Sequence, residues 1–222
     1  MSQTTPAETK EQNTTTNHSI FAAMYERFSR GGAERSFMEP LRKEIIGQAK
    51  GVVLEIGAGN GLNFAFYNPE QVERVEAVEP DSAMLRYARE RLNTARVPIT
   101  LSQAPVEALP FADETFDSAV ATLVFCSVTD PMRGLSEIRR VLKPGGTLLL
   151  IEHVRAQGAF ARRLQDIITP VTKRMAGNCH WNRDTASSVI NADFQIDDKR
   201  DISGRIPPMI VLRARRPTHG RP

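Results

Sequence analysis

Residues 52–61 read Val-Val-Leu-Glu-Ile-Gly-Ala-Gly-Asn-Gly, an apolar strand that runs straight into a glycine-rich turn. Glu79 closes the next apolar run. Gly57, Gly59 and Gly61 let the backbone turn tightly and let a ligand approach it closely. A carboxylate at the end of a second strand accepts hydrogen bonds from ribose hydroxyls. The pair therefore predicts a site for a ribose-bearing ligand. A second chemical centre is suggested at Glu152-His153, which ends a later apolar run. An imidazole placed there can take a proton from a thiol or an ammonium group. The competing reading is a structural histidine hydrogen-bonded beneath a covering segment. No specific role follows for Glu152.

Other reactive side chains are weaker candidates. Cys126 lies in an apolar stretch and reads as a core or pocket-wall residue. Cys126 and Cys179 show no metal-ligand spacing, so no metal site is expected. Cys179, His180, Arg183 and Asp184 form a polar cluster. It either closes over a substrate or leaves Asp184 to cap the next helix, and the cap is favoured. Tyr25 sits on an early helix, where packing and a ligand contact carry equal weight.

These residues need elements to position them. Ile20–Arg30 has helical spacing and ends at Gly31-Gly32. In the next helix Phe37, Leu41, Ile45 and Ala49 recur on one face. Strands are expected at Val52–Ile56, Arg74–Glu79, Val97–Leu101, Phe116–Val124 and Thr147–Glu152. Between them lie a short helix near Leu62–Tyr67 and a helix opened by Pro80-Asp81. Another helix starts at Pro131, with Met132, Leu135, Ile138 and Val141 inward. Alternation of strand and helix predicts an α/β, doubly wound, mostly parallel sheet. Its ligands would sit outside the carboxyl ends of the strands. Two last strands, Phe194–Asp201 and Pro208–Ala214, complete a seven-stranded sheet as a C-terminal antiparallel hairpin.

The stretch between core and hairpin is different. Phe160–Met175 reads as an amphipathic helix, kinked or broken at Pro170. Its apolar face (Phe160, Leu164, Ile167, Ile168, Val171, Met175) is expected to dock on the sheet. The alternative is a lid over a hydrophobic substrate at a membrane surface. A short helix over Asp184–Ala192 follows.

With 222 residues, the chain fits one domain with extensions. Residues 1–17 are polar and read as a disordered leader without the apolar core of a secretory signal. Residues 18–222 form a single domain. Within it, 20–50 are cap helices, 51–153 the ligand-binding core, 154–192 a lid or substrate segment, and 193–216 the last strands. No apolar run is long enough to span a bilayer. Two cysteines make no disulfide framework, so a reducing cytoplasm is the default compartment. A net charge of +3 with 6% aromatic residues argues against nucleic acid as a partner. Basic side chains concentrate at residues 155–174 and 213–221, which leaves an anionic membrane surface or an acidic substrate open.

The glycine turn, Glu79, Leu109-Pro110-Phe111, Asp117 and Leu142-Lys-Pro-Gly-Gly146 together resemble the class I S-adenosylmethionine-dependent methyltransferases. A narrower likeness rests on Thr122-Leu-Val-Phe-Cys-Ser-Val128, Glu152-His153-Val154 and Gly177-Asn-Cys-His-Trp-Asn-Arg-Asp184. These segments look like the methyltransferase-like thiol S-methyltransferases of animal membranes. Those proteins begin with a hydrophobic anchor where this chain has a polar leader, so anchoring is not carried over; peripheral membrane contact stays open. The resemblance implies S-adenosyl-L-methionine as cofactor. Glu55, Gly57, Ala58 and Gly59 would hold its methionine part, and Glu79 with Pro80 its ribose. Many members carry an acidic residue at position 105 for the adenine amino group. Here it is Pro105, so the adenine contacts fall to the backbone around Ala104, Pro105 and Val106. Leu123 would line the methionine moiety, and Tyr25 would fold over the cofactor. The implied reaction is methyl transfer to a small molecule, a thiol first and a phospholipid or other lipophilic amine or hydroxyl second. A rival of another class is a cofactor-binding interaction module without catalysis.

Overall fold

Apolar runs long enough to be buried on both faces become the inner strands of a sheet. The computed structural model describes residues 18–32, 34–175, 178–202, 204 and 206–218. The expected leader, residues 1–17, lies outside them. Helix α1 (Ser19–Ser29) leads through a π-helical turn (Glu34–Met38) to α2 (Glu39–Ile46). The core follows as β1 (Gly51–Ile56), β2 (Val72–Val78), α3 (Ser82–Arg91), β3 (Ile99–Ser102), β4 (Phe116–Thr122), α4 (Pro131–Val141) and β5 (Leu142–His153). Beyond it are α5 (Ala159–Met175), α6 (Thr185–Asn191), β6 (Gln195–Ile202) and β7 (Met209–Arg215).

The seven strands order as β3-β2-β1-β4-β5-β7-β6. The first five run parallel, and β7 and β6 add as an antiparallel hairpin. Successive side chains of β1 point to opposite faces. Val52, Leu54 and Ile56 pack with Leu135, Ile138 and Val141 of α4, whereas Val53 packs with Ile45 and Ile46 of α2. The strand order reverses between β1 and β4, which opens a crevice at their carboxyl ends.

Local chemistry sets the helix starts. Asp81 accepts hydrogen bonds from the Ala83 and Met84 N–H groups, and Asp130 from that of Arg133 ahead of Pro131. Three expectations shift. Met132 is 42% exposed rather than inward, because the buried stripe of α4 is Gly134, Leu135, Ile138 and Val141. β5 begins at Leu142, which pairs with Phe116 before the register shifts. The short helix after the glycine turn shrinks to Phe64–Phe66.

Helix α5 departs most from expectation. It runs unbroken through Pro170, and its apolar face does not dock on the sheet. Phe160 is 82% exposed and Ile167 73%, with Leu164, Ile168 and Val171 also outward. The Met175 side chain lies outside the described part. The buried side chains are Gln165 and Thr169. Gln165 accepts from the Ala156 N–H and donates to the carbonyls of Val154 and Trp181, so three backbone groups beneath the helix are satisfied by one amide. No described helix is long and apolar enough to cross a membrane.

Candidate functional site

The turn after β1 is shaped by sterics. Gly57, Gly59 and Gly61 all adopt positive φ. A Cβ on Gly57 would come within 2.6 Å of Val124 Cγ2, so the glycine also lets the end of β4 close in. A Cβ on Gly59 would meet only the Gly57 carbonyl oxygen at 3.8 Å, because that side faces a cavity. The Gly59 N–H donates to Glu79 Oε2 over 2.9 Å, and the Asp81 N–H donates to Oε1 over 2.9 Å. Burial pushes the Glu79 carboxyl up to about 7 against the pull of those two N–H groups.

The cavity measures about 960 Å³ and lies along the carboxyl ends of β1, β2, β4 and β5. Its walls include Tyr25, Gly57, Ala58, Gly59, Glu79, Pro80, Ala104, Pro105, Val106, Leu123 and His153. Eleven of the twelve sequence-derived site residues are thus brought to one space. Glu55 is the exception. It is buried behind the turn, where it accepts from Tyr67 Oη at 2.8 Å and Asn63 Nδ2 at 3.0 Å. Burial raises its carboxyl to about 7, while those two hydrogen bonds oppose the shift.

Asn63 passes the connection outward, accepting from Arg42 Nη1 at 2.6 Å, and Arg42 Nε donates to Glu34 at 2.7 Å. Arg42 and Asn63 both line the cavity, and sequence reading missed them because the link joins a cap helix to a turn far along the chain. Burial also raises the Tyr25 phenol. The N-terminal helix is latched by Glu26. Its carboxylate accepts from Arg91 Nη1 (2.8 Å) and Nη2 (2.9 Å), Arg30 Nε (2.7 Å) and Asn60 Nδ2 (2.7 Å).

The opposite end of the cavity is built around Glu152. This carboxylate accepts the N–H groups of Val124 and Phe125, each at 2.8 Å, and that of Cys126 at 3.3 Å. It thereby anchors the loop that follows Leu123, whose own φ is +59°. Burial lifts the Glu152 carboxyl to about 7. Arg183 donates to the carbonyls of Phe125 and Val128, and the His180 N–H to that of Cys126 at 2.6 Å. Asp184 caps α6, accepting from the Ser187 N–H at 3.0 Å.

These ties bring together what the chain keeps apart. Cys179 Sγ lies 3.6 Å from His153 Nδ1, and the ligand atoms of Cys126, His153 and Cys179 all lie within 4.8 Å of one another. The hydrogen bond from Cys126 pulls the Cys179 thiol down to about 5, against burial and with help from His153. The three residues come from separate segments, so the spacing of the cysteines along the chain gave no sign of this cluster. Asn178, Cys179 and Trp181 line the cavity, whereas no described side chain of α5 does.

A family model described as a methyltransferase domain matches residues 54–150. The human thiol S-methyltransferase TMT1B is 34% identical over 169 residues, covering 71% of this chain and 68% of that protein. The phosphatidylethanolamine N-methyltransferase of Cereibacter sphaeroides is 31% identical over 150 residues, covering 66% and 70%. Among solved structures, the geranyl diphosphate C-methyltransferase of Streptomyces coelicolor, in complex with S-adenosyl-L-homocysteine, superposes with a TM-score of 0.63. It shares 15% identity, with 82% of this chain and 77% of that chain covered, a likeness of fold.

Proposed function

Because this chain belongs to the class I S-adenosylmethionine-dependent methyltransferases, we propose that it methylates a small molecule whose acceptor atom is a thiol sulfur. The observation that carries the thiol reading is the position of His153. Its imidazole lines the cavity past Leu123, with Cys179 Sγ 3.6 Å away, and forms a polar corner where an acceptor sulfur would be activated. The likeness to a thiol S-methyltransferase supports it. When bound, S-adenosyl-L-methionine supplies a sulfonium methyl group open to in-line displacement.

The residues present fit that cofactor. Glu79 has both carboxylate oxygens fixed by one N–H each, which leaves lone pairs for two neighbouring hydroxyls. The open face of Gly59 and the walls of Gly57 and Ala58 suit the methionine part. Met84, Ala104 and Val106 offer an apolar slot for the base, with polar contacts falling to the backbone beside Pro105. Pro80 adjoins the ribose position, and Leu123 and Tyr25 close the remaining sides. Glu55 acts behind the turn as a positioning residue, through Asn63 and Arg42. The enzyme's share of the rate is then proximity and orientation, worth up to about 7–11 kcal/mol.

A second reading, a lipophilic amine or hydroxyl acceptor such as a phospholipid, is favoured by the outward apolar face of α5. Arg162, Arg163, Lys173 and Arg174 flank that face, which suits an anionic lipid surface. We propose a reducing cytoplasm as its compartment, where Cys126 and Cys179 do not oxidise to a disulfide. Incubation with labelled S-adenosylmethionine and a panel of thiols, amines and phospholipids tests the assignment. Label transfer to amines or lipids with none to thiols would overturn the first reading in favour of the second.

A further inference from the structure

We propose that Cys126, Cys179 and His153 form a zinc site whose fourth position opens on the cavity and takes the acceptor's sulfur. This rests on the thiol reading above and deepens it. The three ligand atoms lie within 4.8 Å of one another. With Zn–S near about 2.3 Å and Zn–N near about 2.0–2.1 Å, a tetrahedral ion sets its sulfur and nitrogen ligands about 3.6 Å apart. Cys179 Sγ and His153 Nδ1 are 3.6 Å apart.

The site is built before any ion arrives. Glu152 accepts the consecutive N–H groups of Val124, Phe125 and Cys126, which fixes the backbone at Cys126 itself. The His180 N–H donates to the Cys126 carbonyl, and Asn178 Nδ2 donates to that of Ser127 at 2.8 Å. Cys179 is therefore stitched, on both sides, to the loop that carries Cys126. His153 comes from the end of β5. A set of two sulfurs and one imidazole suits zinc, and three protein ligands with one open position is the arrangement of a catalytic rather than a structural ion. All three residues line the cavity that holds the turn and Glu79.

The chemistry balances without a redox partner. Two cysteine thiolates neutralise the dication. An incoming thiol loses its S–H proton to solvent as its sulfur bonds to the metal, and zinc stays divalent throughout. The site then carries one net negative charge, and the bound sulfur keeps lone pairs for a methyl group in the same cavity. His153 serves as a ligand in this arrangement instead of taking the proton itself. A thiol gains most from such activation, because its sulfur is both acidic and soft.

The test uses the full chain, purified without chelator, with metal content read by elemental analysis. About one zinc per chain is expected in the wild type, as for a three-ligand protein site. Cys126→Ser and Cys179→Ser should each lose it while still binding S-adenosylhomocysteine. If Cys126→Ser fails to fold, Cys179→Ser on the outer segment carries the same comparison. Cobalt replacement should give thiolate-to-metal absorption that shifts when a small thiol is added. Thiol methylation that survives complete metal removal would overturn the zinc site and leave the thiol reading standing. A Cys126–Cys179 disulfide in place of bound metal would also overturn it. Zinc bound with no spectral response to any thiol, and no thiol methylated, would overturn the acceptor role and the thiol reading together.

Discussion

The Gly59 N–H and the Glu79 carboxylate are joined by a 2.9 Å hydrogen bond, so the glycine turn and the end of β2 act as one unit. Replacing Glu79 by Ala should weaken S-adenosylhomocysteine binding by about 1.5–3 kcal/mol, the scale of hydrogen bonds to a charged group. Isothermal calorimetry on the two proteins measures it.

The same carboxyl gives a pH signature. Burial raises it to about 7 in the free protein. Ribose hydroxyls donate to its ionised form and lower that value in the complex. Affinity should therefore rise with pH through about 7, with protons released on binding below it. Stability should move the other way. An acid whose folded pKa lies above its unfolded value of about 4.3 stabilises the fold at low pH. That contribution is lost as pH rises through the folded value of about 7. Urea unfolding across this range, compared between wild type and Glu79→Gln, isolates the contribution.

His153→Ala should lower turnover by about 10²–10⁴-fold with little change in cofactor affinity. Zinc content of the same variant separates its two possible services. Loss of metal along with turnover marks a ligand, and retained metal with lost turnover marks a base. Unchanged turnover on a thiol would remove His153 from the mechanism.

Phe160→Ser and Ile167→Ser should leave the melting temperature almost unchanged, within the roughly ±0.5 kcal/mol usual for surface substitutions. Both side chains already face outward. Binding to vesicles containing anionic lipid should fall in the same variants, read by co-sedimentation. A stability loss of about 2–5 kcal/mol would instead mean that the face is core.

Glu26→Gln should loosen the N-terminal helix. Burial pushes the Glu26 carboxyl up, but its hydrogen bonds from Arg91, Arg30 and Asn60 outweigh this and hold it below the usual range. Its contribution is present above the unfolded pKa and is lost as pH falls through the lower folded value. At neutral pH the substitution should cost about 1.5–3 kcal/mol. Hydrogen exchange should quicken in α1 and spare β1.

The parallel core was legible because its signals are local. The glycine turn directly follows its strand, the acid closes the next strand, and Asp81 and Asp130 announce the helices they cap. The orientation of α5 was not legible. An apolar stripe ordinarily faces inward, and only the fold reveals that Gln165 bonds three backbone groups beneath the opposite face. Glu55 was expected at the ligand, but Tyr67 and Asn63 hold it buried behind the turn, a placement that strand spacing does not reveal. The cluster of Cys126, His153 and Cys179 left no trace in spacing, because each residue arrives on a different segment. Arg42 and Glu26 were silent for the same reason.

The strand order has a consequence for how the protein is made. β7 covers the outer edge of β5 and carries β6 beyond it. A ribosome delivers β5 well before β7. At roughly 5–20 residues per second, the β5 edge then waits several seconds without its neighbour. During that interval its backbone N–H and C=O groups face outward, open to a strand from another nascent chain. The hairpin that completes the sheet is thus also what covers this long central edge, and slowing translation between residues 154 and 208 should lower the yield of folded protein.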